Sequence, residues 1–364
     1  MTQTPNGPKG PILEAPLETE AIATARPPAS RAVGLYAKIM NDLQYVRGRG
    51  ALEIGIIFVL VVTGFSVASI VSYNQFPFLS QQNLSAVISQ SVPTLGILGI
   101  AAGILMVAGE FDLSLGANLG FSAIVFIRVS EAFGWGWGIP AAIASGVGIA
   151  LLNGLIVVIT RIPSFIATLG MGFFWTGASI FVNGTIAPVL TQGHGTDATL
   201  VAIFAGDYGF FRSQLVWLII IGLAAWAFLH RHRRGNHIFA VGGNEAAAKA
   251  ISINPIFVKL MSFAIFGGLV GFTAILVAVR TTSVQPGTTG DFTLMAIAAA
   301  VVGGCSLNGG RGSVIGMVIG AALIEVVQNG LILGQAPGFY IQLFVGIIIV
   351  VAAIFNKLME GKAS

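Results

Sequence analysis

Charged residues are scarce in this chain: only 9% of its 364 residues are Asp, Glu, Lys or Arg. Soluble domains carry about 25% charged residues, so this scarcity excludes an ordinary soluble protein. The hydrophobic fraction is 55% and the mean hydropathy is +0.89, so most of the chain must face lipid or lie inside a membrane bundle. The net charge of +4 does not indicate nucleic-acid binding, because most basic residues are scattered near the ends of apolar runs, as topology signals are.

Cysteine and histidine are rare as well. Cys305 is the single cysteine, which excludes an intrachain disulfide and is typical of a small buried residue. Three of the four histidines are His230, His232 and His237, and they lack the spacing of a metalloprotease site. No constellation typical of catalysis or of a metal site is present, so we expect a chain that is not an enzyme.

A nucleotide-binding loop is also missing. The stretch GGNEAAAK, residues 242–249, has a superficial similarity to a phosphate loop. The Walker motif requires Gly immediately before its Lys and Ser or Thr after it, but Ala248 and Ala250 occupy those positions. We expect this chain to bind no cofactor; if ATP drives it, a separate subunit binds and hydrolyses ATP with Mg²⁺.

The first 30 residues are rich in Pro, Thr, Ala and Glu and lack the apolar core of a signal peptide. We expect residues 1–48 to form a disordered cytoplasmic tail. Residues 49–357 are then a single transmembrane domain, and residues 358–364 are a short cytoplasmic tail.

Apolar runs of roughly membrane-spanning length fill the rest of the chain. They are Ala51–Val71, Leu84–Ala108, Leu113–Val129, Gly138–Ile159, Ser164–Val182, Gln214–Leu229, Phe257–Val279, Phe292–Val302, Gly312–Leu333 and Gly338–Phe355. The second is interrupted near Pro93, and the eighth is short. The predicted fold class is an all-α integral membrane protein, a polytopic helical bundle of about ten transmembrane helices, with eight to ten as the range.

The distribution of Lys and Arg favours one orientation of this bundle. With the amino terminus inside, the ten-span arrangement places 15 of the 18 Lys and Arg residues in the cytoplasm and leaves Arg128, Arg212 and Arg280 outside. The densest cluster, HRHRRGNH, opens a polar stretch of residues 230–259, which we call the basic loop. The positive-inside rule predicts a multi-pass protein whose basic loop and two termini are cytoplasmic. The basic loop also has helix-forming character.

Two carboxylates, Glu110 and Asp112, lie at a break between two apolar runs. Acidic groups at membrane depth are costly and are usually functional. Asp112 is also well placed to cap the next helix, an interpretation that we favour over substrate contact. Glu110 has no such structural explanation.

Glu325, Gln328 and Asn329 are spaced three and four residues apart, so they share one helical face. A polar stripe on an apolar helix should face the bundle interior. Two interpretations remain open: hydrogen bonds that hold helices together, or a pore lining that contacts a hydroxylated solute.

Several stretches resemble one known family. They are DLSLG at Asp112–Gly116, Asn153–Gly154 followed by PSFIATLG at Pro163–Gly170, GGNEAAAKAISI at residues 242–253, and AIAAAVVGGCSLNGGRGSVIG at Ala296–Gly316, with Asn329–Gly330 beyond it. In these motifs the chain resembles the membrane permeases of ATP-binding-cassette (ABC) importers for monosaccharides, the ribose, xylose and autoinducer-2 permease family. The resemblance covers about Ala51 to Lys357.

This resemblance implies an ABC importer permease fold in the inner membrane of a bacterium. It implies import of a monosaccharide or a related small polyol that a periplasmic sugar-binding protein delivers. The other implied partners are ATP-binding-cassette ATPase subunits, which carry ATP and Mg²⁺, a second permease copy (identical or a paralogue) and membrane lipid, with no nucleic acid. The alternative is a self-sufficient, ion-coupled secondary carrier that uses Glu110, Asp112 and Glu325.

The resemblance also assigns roles to residues. The residues expected to couple the permease to the ATPase are Gly243, Asn244, Glu245, Ala246, Ala247 and Ser252. The candidates for the substrate pathway are Glu110, Asp112, Asn153, Glu325, Gln328 and Asn329. Glu110 and Phe111 replace the Gly and Ile of the family signature, and Ser252 replaces a usual Gly, so this chain departs from the pattern at both sites.

Overall fold

The computed structural model describes residues 51–193 and 195–340, together with Leu343, Phe344, Gly346, Ile347, Val350, Val351 and Ile354. The predicted tails, residues 1–48 and 358–364, lie outside the described residues. So does part of the predicted tenth span, Gly338–Phe355, of which every described residue is helical.

The described part of the chain is almost entirely helical. The elements are α1 (Ala51–Val71), α2 (Gln81–Ala86), a π-helical turn (Val87–Ser91), α3 (Val92–Val107), α4 (Leu115–Phe133), α5 (Trp135–Thr160), α6 (Ser164–Asn183), α7 (Ala198–Ala205), β1 (Asp207–Tyr208), β2 (Phe211–Arg212), α8 (Ser213–Arg231), α9 (Arg233–Gly243), α10 (Glu245–Ala250), α11 (Pro255–Thr281), α12 (Asp291–Val302) and α13 (Val314–Leu333). The strands β1 and β2 form a short antiparallel hairpin.

Eight helical segments within the described residues are long and apolar enough to span a membrane. They match the predicted runs apart from the eighth and the tenth, which confirms the predicted fold class. The run that Pro93 was expected to break is one continuous segment, Gln81–Val107. It continues because a π-helical turn precedes Pro93, and a widened turn accommodates the proline that lacks an N–H group.

The middle of the bundle is built around α3, whose 16 residues are all buried. Helix α11 packs beside it, and α5 packs closely on α11 through glycines. A methyl group at Gly146 of α5 would overlap the carbonyl oxygen of Gly267 and the backbone of Gly271 on α11. Small residues that allow helix backbones to approach closely are typical of membrane bundles.

This packing predicts opposite effects for two glycines of α5. Gly146→Ala should destabilise the bundle by about 1–3 kcal/mol, because the added methyl overpacks the contact. Gly148 has no atom within 4 Å of the same added group, so Gly148→Ala should be neutral or stabilising, since Ala is about 1 kcal/mol better than Gly in a helix. Thermal unfolding in detergent measures both variants, and equal shifts would contradict the packing argument.

The bundle has two distinguishable ends. At one end, the basic loop contacts the connections that follow α3 and precede α13: Gly242 packs on Val107 and Gly310. At the other end, the β-hairpin is fastened to the π-helical turn, where the Ser89 hydroxyl donates to the Phe210 carbonyl at 2.8 Å. We call these the basic end and the hairpin end.

Helix α12 begins well inside the bundle rather than at the hairpin end. Gly116, in the first turn of α4, donates its N–H to Thr293 Oγ1 at 2.8 Å, and its carbonyl accepts the Thr289 hydroxyl at 2.6 Å. Thr289 and Thr293 are buried. The 12 residues of α12 extend only about 18 Å, less than the hydrocarbon core of about 30 Å, so α12 is a partial span.

Candidate functional site

The basic loop folds into two short helices, α9 and α10, where the sequence indicated one helical stretch. Polar side chains define where each helix begins. Nδ1 of His232 accepts the Arg234 N–H at 3.2 Å, and Oδ1 of Asn244 accepts the Ala247 N–H at 2.9 Å. Asn254 does the same for α11 by accepting the Phe257 N–H at 3.3 Å. These are ordinary N-cap contacts, and they fix the path of the loop.

All of the residues predicted to couple the permease to an ATPase are exposed. They are Gly243, Asn244, Glu245, Ala246, Ala247 and Ser252. On the opposite side of α10, Ala248 is 2% exposed, and Ile238 and Val241 of α9 are buried as well. The basic loop thus presents one free face to solvent and rests on the bundle with the other.

The basic loop sits on the bundle through direct backbone contact. A methyl group at Gly242 would overlap the Val107 carbonyl oxygen and approach the backbone nitrogen of Gly310 to 2.9 Å. Those two groups are themselves joined, because the Gly310 N–H donates to the Val107 carbonyl at 2.9 Å. Gly309 and Gly310 have φ values of 82° and 71°, which favour glycine. The end of α3, the end of α9 and the loop before α13 therefore meet at one point.

Lys259, in the second turn of α11, connects the exposed and buried parts of this end. Its Nζ lies 2.8 Å from Oε1 of Glu110 and 2.8 Å from Oε2 of Glu245. The Glu110 side chain is 8% exposed and that of Glu245 is 56% exposed. An exposed ion pair contributes little, whereas a buried carboxylate requires its counter-ion. Lys259 therefore neutralises Glu110 in the bundle and reaches α10 at the surface.

The sequence analysis did not single out Lys259. The available signal was an isolated Lys near the start of an apolar helix and an isolated Glu at a break between two others. Two lone opposite charges in a membrane protein are expected to pair. Because these two residues are 149 positions apart in the sequence, no helical or strand spacing indicated that they meet.

Asp112 has only local and interhelical hydrogen bonds. Its Oδ1 accepts the N–H and the hydroxyl of Ser114 at 2.7 and 2.6 Å, and its Oδ2 accepts Nδ2 of Asn153 at 2.9 Å. The same Nδ2 lies 2.8 Å from Ser114 Oγ. All three residues are buried. The bonds to Ser114 form an Asx turn just before α4, and neither Asp112 nor Ser114 caps the first N–H groups of that helix. The Asn153 contacts bind this turn to α5.

The other predicted polar residues lie on α13, away from the basic loop. Asn329 and Asn83 exchange amide hydrogen bonds at 2.8 and 3.0 Å. Nε2 of Gln328 is 3.7 Å from the Met295 sulfur of α12. Asn329 therefore holds two helices together, whereas Gln328 contacts the partial span. The structure does not bring the six predicted pathway residues into one site.

Glu325 lies on the same half-buried face of α13 as Gln328 and Asn329. The guanidinium of Arg280, near the end of α11, attracts its carboxylate electrostatically. Arg212 of the hairpin donates Nη1 to Oε1 of Gln90 at 3.1 Å and pairs with Asp207 at 3.1 Å. The hairpin end therefore carries its own charged cluster, which is separate from the basic loop.

Comparison with known proteins identifies the family. Residues 83–353 match the family model described as "Branched-chain amino acid transport system / permease component". The chain belongs to this permease family. No solved structure matches it.

Curated relatives cover most of the chain. The ribose import permease protein RbsC of Escherichia coli K12 is 31% identical over 83% of this chain and 91% of its own length. The xylose transport system permease protein XylH of Haemophilus influenzae is 30% identical over 80% of the chain and 92% of its own length. The fructose import permease protein FrcC of Rhizobium meliloti is 28% identical over 76% and 78%. The chain is thus a multi-pass membrane permease component of a transport system.

Proposed function

We propose that this chain is the membrane permease subunit of an ATP-driven ABC importer for a monosaccharide or a related small polyol. The names of its relatives refer to ribose, xylose and fructose transport, which supports this permease over a self-sufficient secondary carrier. The observation that carries the proposal is the basic loop, which exposes α10 on one side and rests on the ends of α3 and α11 on the other.

The basic loop is suited to transmit force from an ATPase subunit. On this account an ATPase, which holds the ATP and Mg²⁺, docks on α10 and on the exposed residues around it. A displacement of α10 reaches the bundle by two routes, the Lys259 ion pairs and the backbone contact at Gly242. Packed helices respond to such a displacement by rigid-body movement, which would alternate access to the pathway.

The pathway itself is proposed to pass the partial span. A helix that begins inside a bundle directs the positive end of its dipole into the interior, and transporters use such helices to bind solutes. Gln328 contacts α12, and Glu325 lies one turn from it on α13. These two residues are therefore better placed to meet a hydroxylated solute than Glu110, which is paired with Lys259.

The remaining partners follow from the same proposal. The protein lies in the inner membrane of a bacterium with both termini cytoplasmic, and a periplasmic sugar-binding protein delivers the solute at the hairpin end. A second permease copy, identical or a paralogue, completes the pathway. The described basic residues are divided as this orientation requires: Arg161, Arg311 and the basic loop at one end, and Arg128, Arg212 and Arg280 towards the other.

Uptake by proteoliposomes tests the proposal. Vesicles that contain this chain, its ATPase and its binding protein should accumulate labelled sugar only with internal ATP, and an ionophore should have no effect. The chain alone should show negligible ATPase activity. Uptake that needs no ATPase and collapses with the ion gradient would establish the secondary carrier instead.

Replacement of residues 245–248, of which all but Ala248 are exposed, by a Gly-Ser sequence of equal length tests the role of α10. The variant should lose at least tenfold in ATP-driven uptake, since the docking surface is removed while the bundle is retained. Thermal unfolding serves as the control for folding. Uptake at the parent rate by a folded variant would show that α10 is not the coupling element.

A further inference from the structure

A pocket of about 300 Å³ opens on the basic loop, between the start of α9 and the start of α11. Its lining residues are Arg233, Arg234, His237, Ser252, Ile253, Asn254, Phe257 and Val258. Ser252 is also a predicted coupling residue, but none of the other predicted coupling or pathway residues lines this pocket.

The basic groups around this pocket are not neutralised by the protein. The basic loop contains five Lys and Arg residues and a single acidic residue, Glu245. Glu245 is paired with Lys259. Arg233 and Arg234 are exposed and form no salt bridge within the described part of the chain. The pocket therefore has an excess of positive charge that an anion would satisfy.

Apolar groups lie directly beside these charges. Ile253, Phe257 and Val258 line the pocket, and the guanidinium of Arg234 lies 5.7 Å from the centre of the Phe257 ring. Ile256 and Phe257 are 54% and 52% exposed. A small hydrophilic anion would leave this apolar surface uncovered, whereas an amphiphile with an anionic head would cover it.

The position of the pocket matches a membrane surface. The spanning helix α8 ends at Arg231, and the spanning helix α11 begins at Pro255. The pocket lies between these two boundaries, where spanning helices leave the hydrocarbon for the aqueous side. Basic pockets in this position between transmembrane helices are suited to anionic lipid headgroups.

We propose that the pocket binds the headgroup of an anionic phospholipid, with the phosphate at Arg233 and Arg234 and the acyl chains along Ile256 and Phe257. The inference does not depend on an ATPase partner, because it rests on the described chain alone. A free phosphate shares the headgroup chemistry but would not use the apolar surface.

Lipid retention by the full chain tests this proposal. The protein is reconstituted in nanodiscs of phosphatidylcholine with a minor fraction of phosphatidylglycerol, and retained lipid is counted by native mass spectrometry after extraction. Arg233→Gln and Arg234→Gln should each weaken phosphatidylglycerol retention by about fivefold, as expected for one basic group at a membrane surface. Lys249→Gln is the matched control, because Lys249 is an exposed base of the same loop that does not line the pocket; it should retain the lipid at the parent level.

Two control measurements identify the source of the anion and show that the variants are folded. Thermal unfolding in pure phosphatidylcholine should be the same for all variants, so that a loss of lipid is not a loss of fold. Inorganic phosphate at millimolar concentration should not displace phosphatidylglycerol; displacement would overturn the lipid assignment. Unchanged lipid retention by both arginine variants would also overturn the lipid assignment. If those variants instead lost binding of the ATPase subunit, the arginines would belong to a protein interface.

Discussion

Replacing Lys259 with Met should lower the free energy of unfolding by about 3 kcal/mol, the lower end of the cost of breaking a buried ion pair. The Glu110 carboxylate, with a side chain only 8% exposed, would be left without its counter-ion. Met retains most of the length and apolar surface of the Lys stem, so the loss reports the charge rather than a cavity. Reversible unfolding in mixed micelles measures the change.

A double-mutant cycle isolates the pair. Glu110→Gln together with Lys259→Met should recover most of the stability lost in Lys259→Met, because the buried charge is removed along with its partner. Glu245→Gln should cost less than about 1 kcal/mol, since Glu245 is exposed and its pair is screened by solvent. If Lys259→Met were equally destabilising with Glu110 and with Gln at position 110, the ion pair would have no part in stability.

The same variants separate stability from coupling. Glu245→Gln keeps the inner pair but releases α10 from Lys259, so sugar uptake per ATP hydrolysed should fall while the bundle remains folded. Lys259→Arg should preserve both the stability of the bundle and the coupling, because a guanidinium can bind the two carboxylates of Glu110 and Glu245 at once. An unchanged ratio of uptake to hydrolysis in Glu245→Gln would show that the Lys259–Glu245 contact is not part of the coupling route.

The helices were predictable from the sequence because hydropathy and length alone define a spanning segment. The segment Gln81–Val107 shows where this reasoning stops. Pro93 indicated a break, but the helix continues through a π-helical turn just before it. Whether a proline interrupts a helix or only widens one turn depends on neighbouring contacts. Here those contacts come from the hairpin: Ser89 and Gln90 bond to Phe210 and Arg212, more than 100 residues away.

The candidate site was predictable only in its exposed part. The residues predicted to couple the permease to an ATPase belong to one short stretch of the chain, so a motif could single them out, and all of them are exposed. The pathway candidates were grouped by residue type, and the structure divides them between two ends of the bundle. Asp112 and Asn153 bind each other near the basic end, whereas Asn329 pairs with Asn83 near the hairpin end. A sequence does not show which distant polar side chains meet.

Gly242→Ala should reduce ATP-driven uptake by at least tenfold without unfolding the bundle. The added methyl would overlap the Val107 carbonyl oxygen, and this oxygen cannot move away freely, because it accepts the Gly310 N–H at 2.9 Å. Relief of the overlap requires α9 to lift from the bundle, so that a push on α10 no longer reaches α3. A lifted α9 can also be measured without any partner protein. Trypsin should cut the Gly242→Ala variant at Arg233 and Arg234 several times faster than the parent.

Gly243→Ala is the control for this variant. Gly243 is also near the end of α9, but a methyl there would meet only the Gly310 Cα at 3.9 Å, an ordinary van der Waals contact. The two variants share the same change in composition and in helix propensity, so they differ only in the contact with the bundle. Trypsin cleavage of Gly243→Ala should stay within about twofold of the parent, since surface substitutions away from packed contacts have small effects on stability. Cleavage is the control measurement because Gly243 is itself a predicted coupling residue, whose substitution can change uptake through the ATPase contact. Equally fast cleavage in the two variants would mean that the contact of Gly242 with Val107 and Gly310 does not hold α9 on the bundle.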